Sequence, residues 1–258
     1  MFNYVCLGAA GGSFAKLIES AKENVQFLLI SLAMMVGVYL LALVSEKLIE
    51  KSTGAKFSSR KTKVNKLVVM AMFSALAVVI MYFEFPIPFI APGFYEMDLS
   101  EIPILIGSFM YGPVAGVVME AVKILLKLCL KGTSTAFVGD FANFIMGCCI
   151  VVPASVIYHT KKNKKRAIIG LVAGGLTLIV VGGLMNGLYL LPKYSELYGV
   201  PIEAFIKQGS DITPAISNIA TFVMLAVVPF NLIKAVIVGT VTGLLYKHVS
   251  RLLQLQNQ

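Results

Sequence analysis

Charge is scarce in this chain: only 14% of its 258 residues are Asp, Glu, Lys or Arg, against roughly a quarter in ordinary soluble domains. With 58% apolar residues and a mean hydropathy of +0.85, that scarcity excludes a water-soluble fold and describes an integral membrane protein. Acidic residues are fewer than basic ones, 13 against 22. The basic excess sits in short blocks between apolar runs, so it points to membrane topology and not to nucleic acid. The four cysteines, Cys6, Cys129, Cys148 and Cys149, have no CxxC spacing and no flanking histidine, which excludes a zinc site or a disulfide framework. No GxxxxGK(S/T) phosphate loop occurs, and Gly8, Gly11 and Gly12 lack its lysine and preceding strand, so ATP is not handled by that route. His159 and His248 stand at helix ends without a carboxylate or cysteine at ligand spacing and are expected to be solvated. No Ser-His-Asp or paired-carboxylate arrangement is legible, and the chain is read as neither an enzyme nor a holder of metal or cofactor.

What is present is a series of long apolar runs. A hydrocarbon core of about 30 Å needs about 20 helical residues, and lipid offers no partner for an unpaired backbone group, so each run is expected to be a helix. The first, residues 25–44, has 20 residues without a charge. It is expected to span, with a membrane-surface helix as the alternative. Six more helices are expected in 67–83, 102–118, 119–130, 136–158, 168–191 and 215–246, with the break between the second and third of these at the Gly112-Pro113 turn. The short third one carries Glu120, Lys123 and Lys127, which must sit near an interface or face water or protein, because one Lys at the bilayer centre costs about 2.5 to 3.5 kcal/mol.

Lys and Arg in short loops mark the cytoplasmic side. Lys47, Lys51, Lys56, Arg60, Lys61, Lys63 and Lys66 form one block, Lys161, Lys162, Lys164, Lys165 and Arg166 a second, and Lys247 and Arg251 a third. Six spans return the chain to the same side at each block, so the C-terminus is expected in the cytoplasm and segments 85–101 and 192–213 outside. The first helix, if it spans, places the N-terminus outside as well. The stretch Phe85-Pro86-Ile87-Pro88-Phe89-Ile90-Ala91-Pro92 is apolar yet assigned to water. A proline-stiffened segment loses little entropy on closing, and a lid over a ligand is expected, with a rigid re-entrant connection as the alternative.

Polar residues recur in the outer halves of apolar helices. Asn231 and Lys234, Asn186 and Tyr189, and Asp140 and Asn143 are each three residues apart and so share a helix face. Amide and ammonium groups in a pocket suit a neutral, polyfunctional solute. Interhelical hydrogen bonding is the alternative use of such pairs.

These residues carry a resemblance. Met81-Tyr82-Phe83, Phe85-Pro86, the run from Tyr95-Glu96-Met97-Asp98 through Glu101-Ile102-Pro103 to Gly107, and Gly112-Pro113 resemble the first outer loop and second helix of the S components of energy-coupling-factor (ECF) vitamin transporters. Leu125-Leu126-Lys127, Gly132-Thr133-Ser134-Thr135, Asn186 with Tyr189, Pro192 and Tyr194, and above all Pro229-Phe230-Asn231-Leu232-Ile233-Lys234 are similar to its riboflavin-specific members. The resemblance covers residues 66–248. It implies an all-α membrane protein, a six-helix S-component bundle preceded here by an additional hydrophobic helix. The segments are a 1–65 extension, a 66–248 substrate-binding domain and a 249–258 cytoplasmic tail in the cell membrane.

The resemblance further implies capture of riboflavin outside the cell, for uptake with a transmembrane coupling subunit (EcfT) and two cytoplasmic ABC-type ATPases. The family's asparagine-lysine pair falls on Asn231 and Lys234, and its earlier asparagine on Asn186; Tyr189, Asn143 and, in the lid motif, Asp98 complete the candidate contacts. Coupling subunits of the family grip small residues on the first core helix. Ala71 and Ala75 fit that spacing and are the candidate docking face, packing within the bundle being the alternative. An S component for another vitamin and an ATPase-independent facilitator remain alternative functions. The first 60 or so residues depart from the family pattern.

Overall fold

A computed structural model describes residues 24–54, 57 and 63–255. Cys6, Gly8, Gly11 and Gly12, the basic residues Lys56, Arg60 and Lys61, and the side chains of Lys63, Lys247, His248 and Arg251 lie outside the described residues. The chain forms α1 (Val25–Thr53), α2 (Lys63–Met81), two short strands β1 (Phe85–Pro86) and β2 (Glu96–Met97), α3 (Glu101–Tyr111), α4 (Pro113–Lys131), α5 (Val138–Thr160) and α6 (Lys164–Met185). A π-turn, Asn186–Leu190, leads into α7 (Leu191–Tyr198), followed by α8 (Ile202–Ile212), α9 (Ile219–Phe222), a second π-turn, Val223–Val227, and α10 (Val228–Leu255). The all-helical membrane bundle expected from the apolar runs is the architecture found, and α1, α2, α5, the α6–α7 unit and the α9–α10 unit are long and apolar enough to cross a bilayer.

Two boundaries differ from the runs. Gly112, at φ 102°, ends α3 after 11 residues, so the apolar run through Val118 belongs to two helices. At about 1.5 Å per residue α3 is about 16 Å long, half a bilayer; it is buried from Glu101 to Phe109 and works as an internal element. Segment 192–213 is also not open chain, since α7 and α8 occupy it.

The described parts of the three basic blocks meet at one end. Lys66 donates to the Tyr111 carbonyl (3.3 Å), the Phe57 ring lies 5.0 Å from His159, and the Tyr158 and Tyr246 hydroxyls are 3.2 Å apart. The 85–100 segment, α8 and the start of α9 lie at the opposite end, where Ile87, Met97, Phe205, Phe222 and Phe230 share one core cluster. The tightest helix seam is α5 on α6: a Cβ on Gly170 or Gly174 would come within 2.5 Å of the Ala154 or Ile150 carbonyl oxygen, a small-residue approach.

The first helix runs the length of the bundle against α4 and α5. Phe27 packs on Phe141 and Tyr189 at one end; at the other, Glu46 accepts from the Val114 N–H (3.0 Å). Gly112 has no side chain with which to cap α4, so α1 supplies the cap and sets a carboxylate at the positive end of the helix dipole. Replacing Glu46 by Ala is expected to lower stability by about 1 kcal/mol, read as a lower thermal midpoint of the purified protein in detergent. His159 corrects an expectation: it is 2% exposed and holds the Ser155 carbonyl through Nδ1 at 2.9 Å. The Phe57 ring that sits against it comes from the extension, whose placement no helical pattern announces.

Candidate functional site

Pairing of Phe85 with Met97 and of Pro86 with Glu96 closes the 85–97 segment into a flap over the end of the bundle. Ile87, Ala91 and Met97 point inward and are buried, while Phe83 and Phe89 are about three-quarters exposed. Tyr95 is the flap's deepest polar residue. Its ring lies 5.7 Å from Phe230 and 6.3 Å from Phe222, and its hydroxyl donates to Asn186 Oδ1 at 2.7 Å. Beside it Phe94 meets Phe205 edge-on at 5.5 Å. The flap, the π-turn after α6, α8, α9 and α10 thus meet in an aromatic cluster.

Asn186 and Asn231 lie beside that cluster, both against Gly182. Asn186 uses its amide on the Gly182 carbonyl (2.8 Å), and a Cβ on Gly182 would lie 2.5 Å from Asn231 Nδ2, so Asn231 fits only against a glycine. Asn231 is 6% exposed, and its Nδ2 has no partner among the described residues. A buried donor without a partner costs about 1 to 3 kcal/mol, which marks Asn231 as a group arranged for something other than internal bonding.

One turn deeper, Lys234 is not free. Its Nζ lies 3.2 Å from Asp98 Oδ2 and 3.1 Å from Glu101 Oε1. Asp98 also accepts from the Ser100 N–H at 2.9 Å and from the Ser100 hydroxyl. Burial acts to raise its carboxyl, but Lys234, Lys123 and the two Ser100 bonds outweigh it and hold Asp98 well below the usual carboxylate range. Lys123, fully buried, sits 2.7 Å from Glu120 Oε2 and 3.6 Å from Glu101 Oε1 and donates to Ser100 Oγ (3.0 Å) and Asn143 Oδ1 (3.2 Å). The charged residues of α4 therefore face protein. A convergence of carboxylates does exist, contrary to the sequence reading, because Asp98 and Glu101, three residues apart at the start of α3, are met by Glu120 of α4 through the shared lysines. Three or more His, Cys, Asp or Glu placed to hold a metal do not occur among the described residues.

The other sequence candidates separate. Asn143 belongs to the ionic cluster through Lys123, while Asp140 is taken by Lys127 and by Thr133 Oγ1 at 2.7 Å. Tyr189 does not share a face with Asn186, because the π-turn is wider than the α-turn on which three-residue spacing rests; it stacks instead on Phe27, 6.4 Å away. Ala71 and Ala75 are exposed on α2, on a face continued by Leu67, Met72 and Leu76, so they do not serve packing inside the bundle. Glu101, Glu120 and Lys123 are site-neighbouring residues that sequence reading left out; the signal for them was three charges on one short apolar helix and at its neighbour's start.

Residues 65–246 match the family model for the ECF transporter, substrate-specific component. The chain belongs to that family. Among the relatives of this S component, "Riboflavin transporter RibU" of Staphylococcus aureus (strain TCH60) is 32% identical over 189 residues, 73% of this chain and 92% of the relative. "Riboflavin transporter FmnP" of Bacillus subtilis (strain 168) is 30% identical over 187 residues, 71% of this chain and 91% of the relative. A solved S component of a bacterial ECF transporter superposes with a TM-score of 0.59 at 31% identity, covering 74% of this chain and 98% of that one. The family match begins at the foot of α2, so α1 is an addition to the S-component bundle.

Proposed function

We propose that this S component captures riboflavin at the aromatic cluster under the 85–97 flap, with Asn186, Asn231 and Lys234 as its polar contacts. The unpartnered Asn231 amide carries the reading: it is a buried donor beside an aromatic enclosure built from Tyr95, Phe222 and Phe230, which suits a flat ring with a hydrogen-bonding edge. The names of the relatives support the choice of vitamin. Uptake then requires a transmembrane coupling subunit and two cytoplasmic ABC-type ATPases, since the chain has no phosphate loop, and Ala71 and Ala75 form the docking face. The basic end is cytoplasmic and the C-terminus lies inside, following the distribution of Lys and Arg.

Titration of the purified protein with riboflavin is expected to quench flavin fluorescence with submicromolar affinity and without ATP; unchanged fluorescence at micromolar protein overturns the assignment. Replacing Asn231 by Leu is expected to weaken binding by about 1 to 3 kcal/mol, because a buried flavin atom loses its partner, with little loss of thermal stability. Intact affinity with a lowered melting midpoint would assign Asn231 to helix packing instead.

A further inference from the structure

The ionic cluster holds an odd charge. Asp98, Glu101 and Glu120 face Lys123 and Lys234, and all five are less than a tenth exposed. Counted as ordinary ions they leave one negative charge over. The surrounding elements do not supply a balancing cation among the described residues. From α5 come the neutral Asn143 amide and the Cys148 thiol, which lies within electrostatic range of Glu120. From α2 comes the Ser74 hydroxyl, bound to the Met119 carbonyl. Lys127 is occupied by Asp140, and Glu46 and Glu50 of α1 are tied to the backbone N–H groups of Val114 and Phe57 at the far end. An uncompensated charge in a dry interior is relieved by taking up a proton.

The three acids differ in how well their charge is met. Asp98 accepts from Lys234 and twice from Ser100. Glu101 Oε1 lies between both ammoniums, at 3.1 and 3.6 Å. Glu120 has Lys123 alone, close at 2.7 Å, and its oxygens find no further partner. Its carboxyl rests on the bare Cα of Gly147, where even a Cβ would come within 2.5 Å, so water has no room there.

We propose that Glu120 is a proton-binding site: it holds a proton while the flap is closed, releases it when the opening flap draws the adjoining Asp98 out of the cluster, and so makes solute capture take up one proton. The release follows from the count, since without Asp98 the pair Glu101 and Glu120 matches Lys123 and Lys234 one to one. The proton comes from solvent and adds to a carboxylate oxygen, with no other bond made or broken. The inference rests on the reading of segment 85–97 as a lid over riboflavin.

Calorimetric titration of the full chain with riboflavin, in two buffers of different ionisation enthalpy, counts the protons. Uptake of about one proton per flavin is expected, with affinity falling by up to about tenfold per pH unit as pH rises through the linked range. Glu120→Gln, a neutral isostere of the protonated acid, is expected to bring the uptake to zero and flatten the pH profile. Flavin binding without proton uptake, or unchanged uptake in E120Q, overturns the proposal. Absence of flavin binding overturns the assigned solute and, with it, the coupling of capture to protonation.

Discussion

Enlarging Ala71 and Ala75 together to Trp is expected to abolish riboflavin uptake in cells that supply the coupling subunit and ATPases, while flavin binding by the purified protein survives. Both alanines are exposed on the bundle, so two indoles there meet no neighbouring helix of this chain. A partner helix that relies on small residues for close approach would be held off by several Å, and van der Waals packing in lipid falls steeply with such a gap. The proposed flavin site lies at the aromatic cluster under the flap, whose core residues come from 85–97, α8, α9 and α10 and not from α2. Both quantities are read on one variant. Retained uptake would place docking elsewhere, on α1 or another outer face, and loss of both would show that the α2 face supports the fold itself.

Replacing Lys123 by Met is expected to produce the largest loss of stability of any single change at the site. The ammonium is fully buried, and its removal leaves Asp98 and Glu101 sharing one cation, Lys234, and takes from Glu120 its close partner. Breaking a buried pair from one side costs about 3 to 5 kcal/mol. The flap should loosen as well, since Lys123 holds Ser100, which in turn holds Asp98. Thermal unfolding in detergent measures the first effect, and protease sensitivity within 85–97 the second. Adding Glu101→Gln to Lys123→Met should recover part of the lost stability by removing the stranded charge that Lys123 met at 3.6 Å; a double variant no more stable than Lys123→Met would mean that Lys123 acts through packing of its stem.

Much of the site was within reach of local pattern, and the limit is visible residue by residue. Asn231 and Lys234 lie one turn apart on one helix, so their shared direction is a property of helical geometry, and the structure does place them on consecutive turns of α10. Asn186 and Tyr189 have the same spacing but sit in a π-turn, which no composition rule announces, and they part company. Lys234 reads in sequence as an available donor; its engagement by Asp98 and Glu101 crosses 136 and 133 residues of chain. The Ala71 and Ala75 motif and the Gly170 and Gly174 motif look alike in sequence, yet one lies exposed and the other forms the α5–α6 seam.

The sequence by itself determined the membrane class, the main spans, the break at Gly112-Pro113 and the segregation of basic loops to one end. These follow from hydropathy, backbone sterics and charge placement, each of which acts over a single turn, span or loop. Tertiary structure alone decided that α3 is an internal half-length helix, that α1 caps α4 through Glu46, that Phe57 buries His159, and that five charged residues from four elements form one cluster. Such contacts are selected by the global packing of helices, where a partner's position depends on every intervening segment and leaves no local period to read.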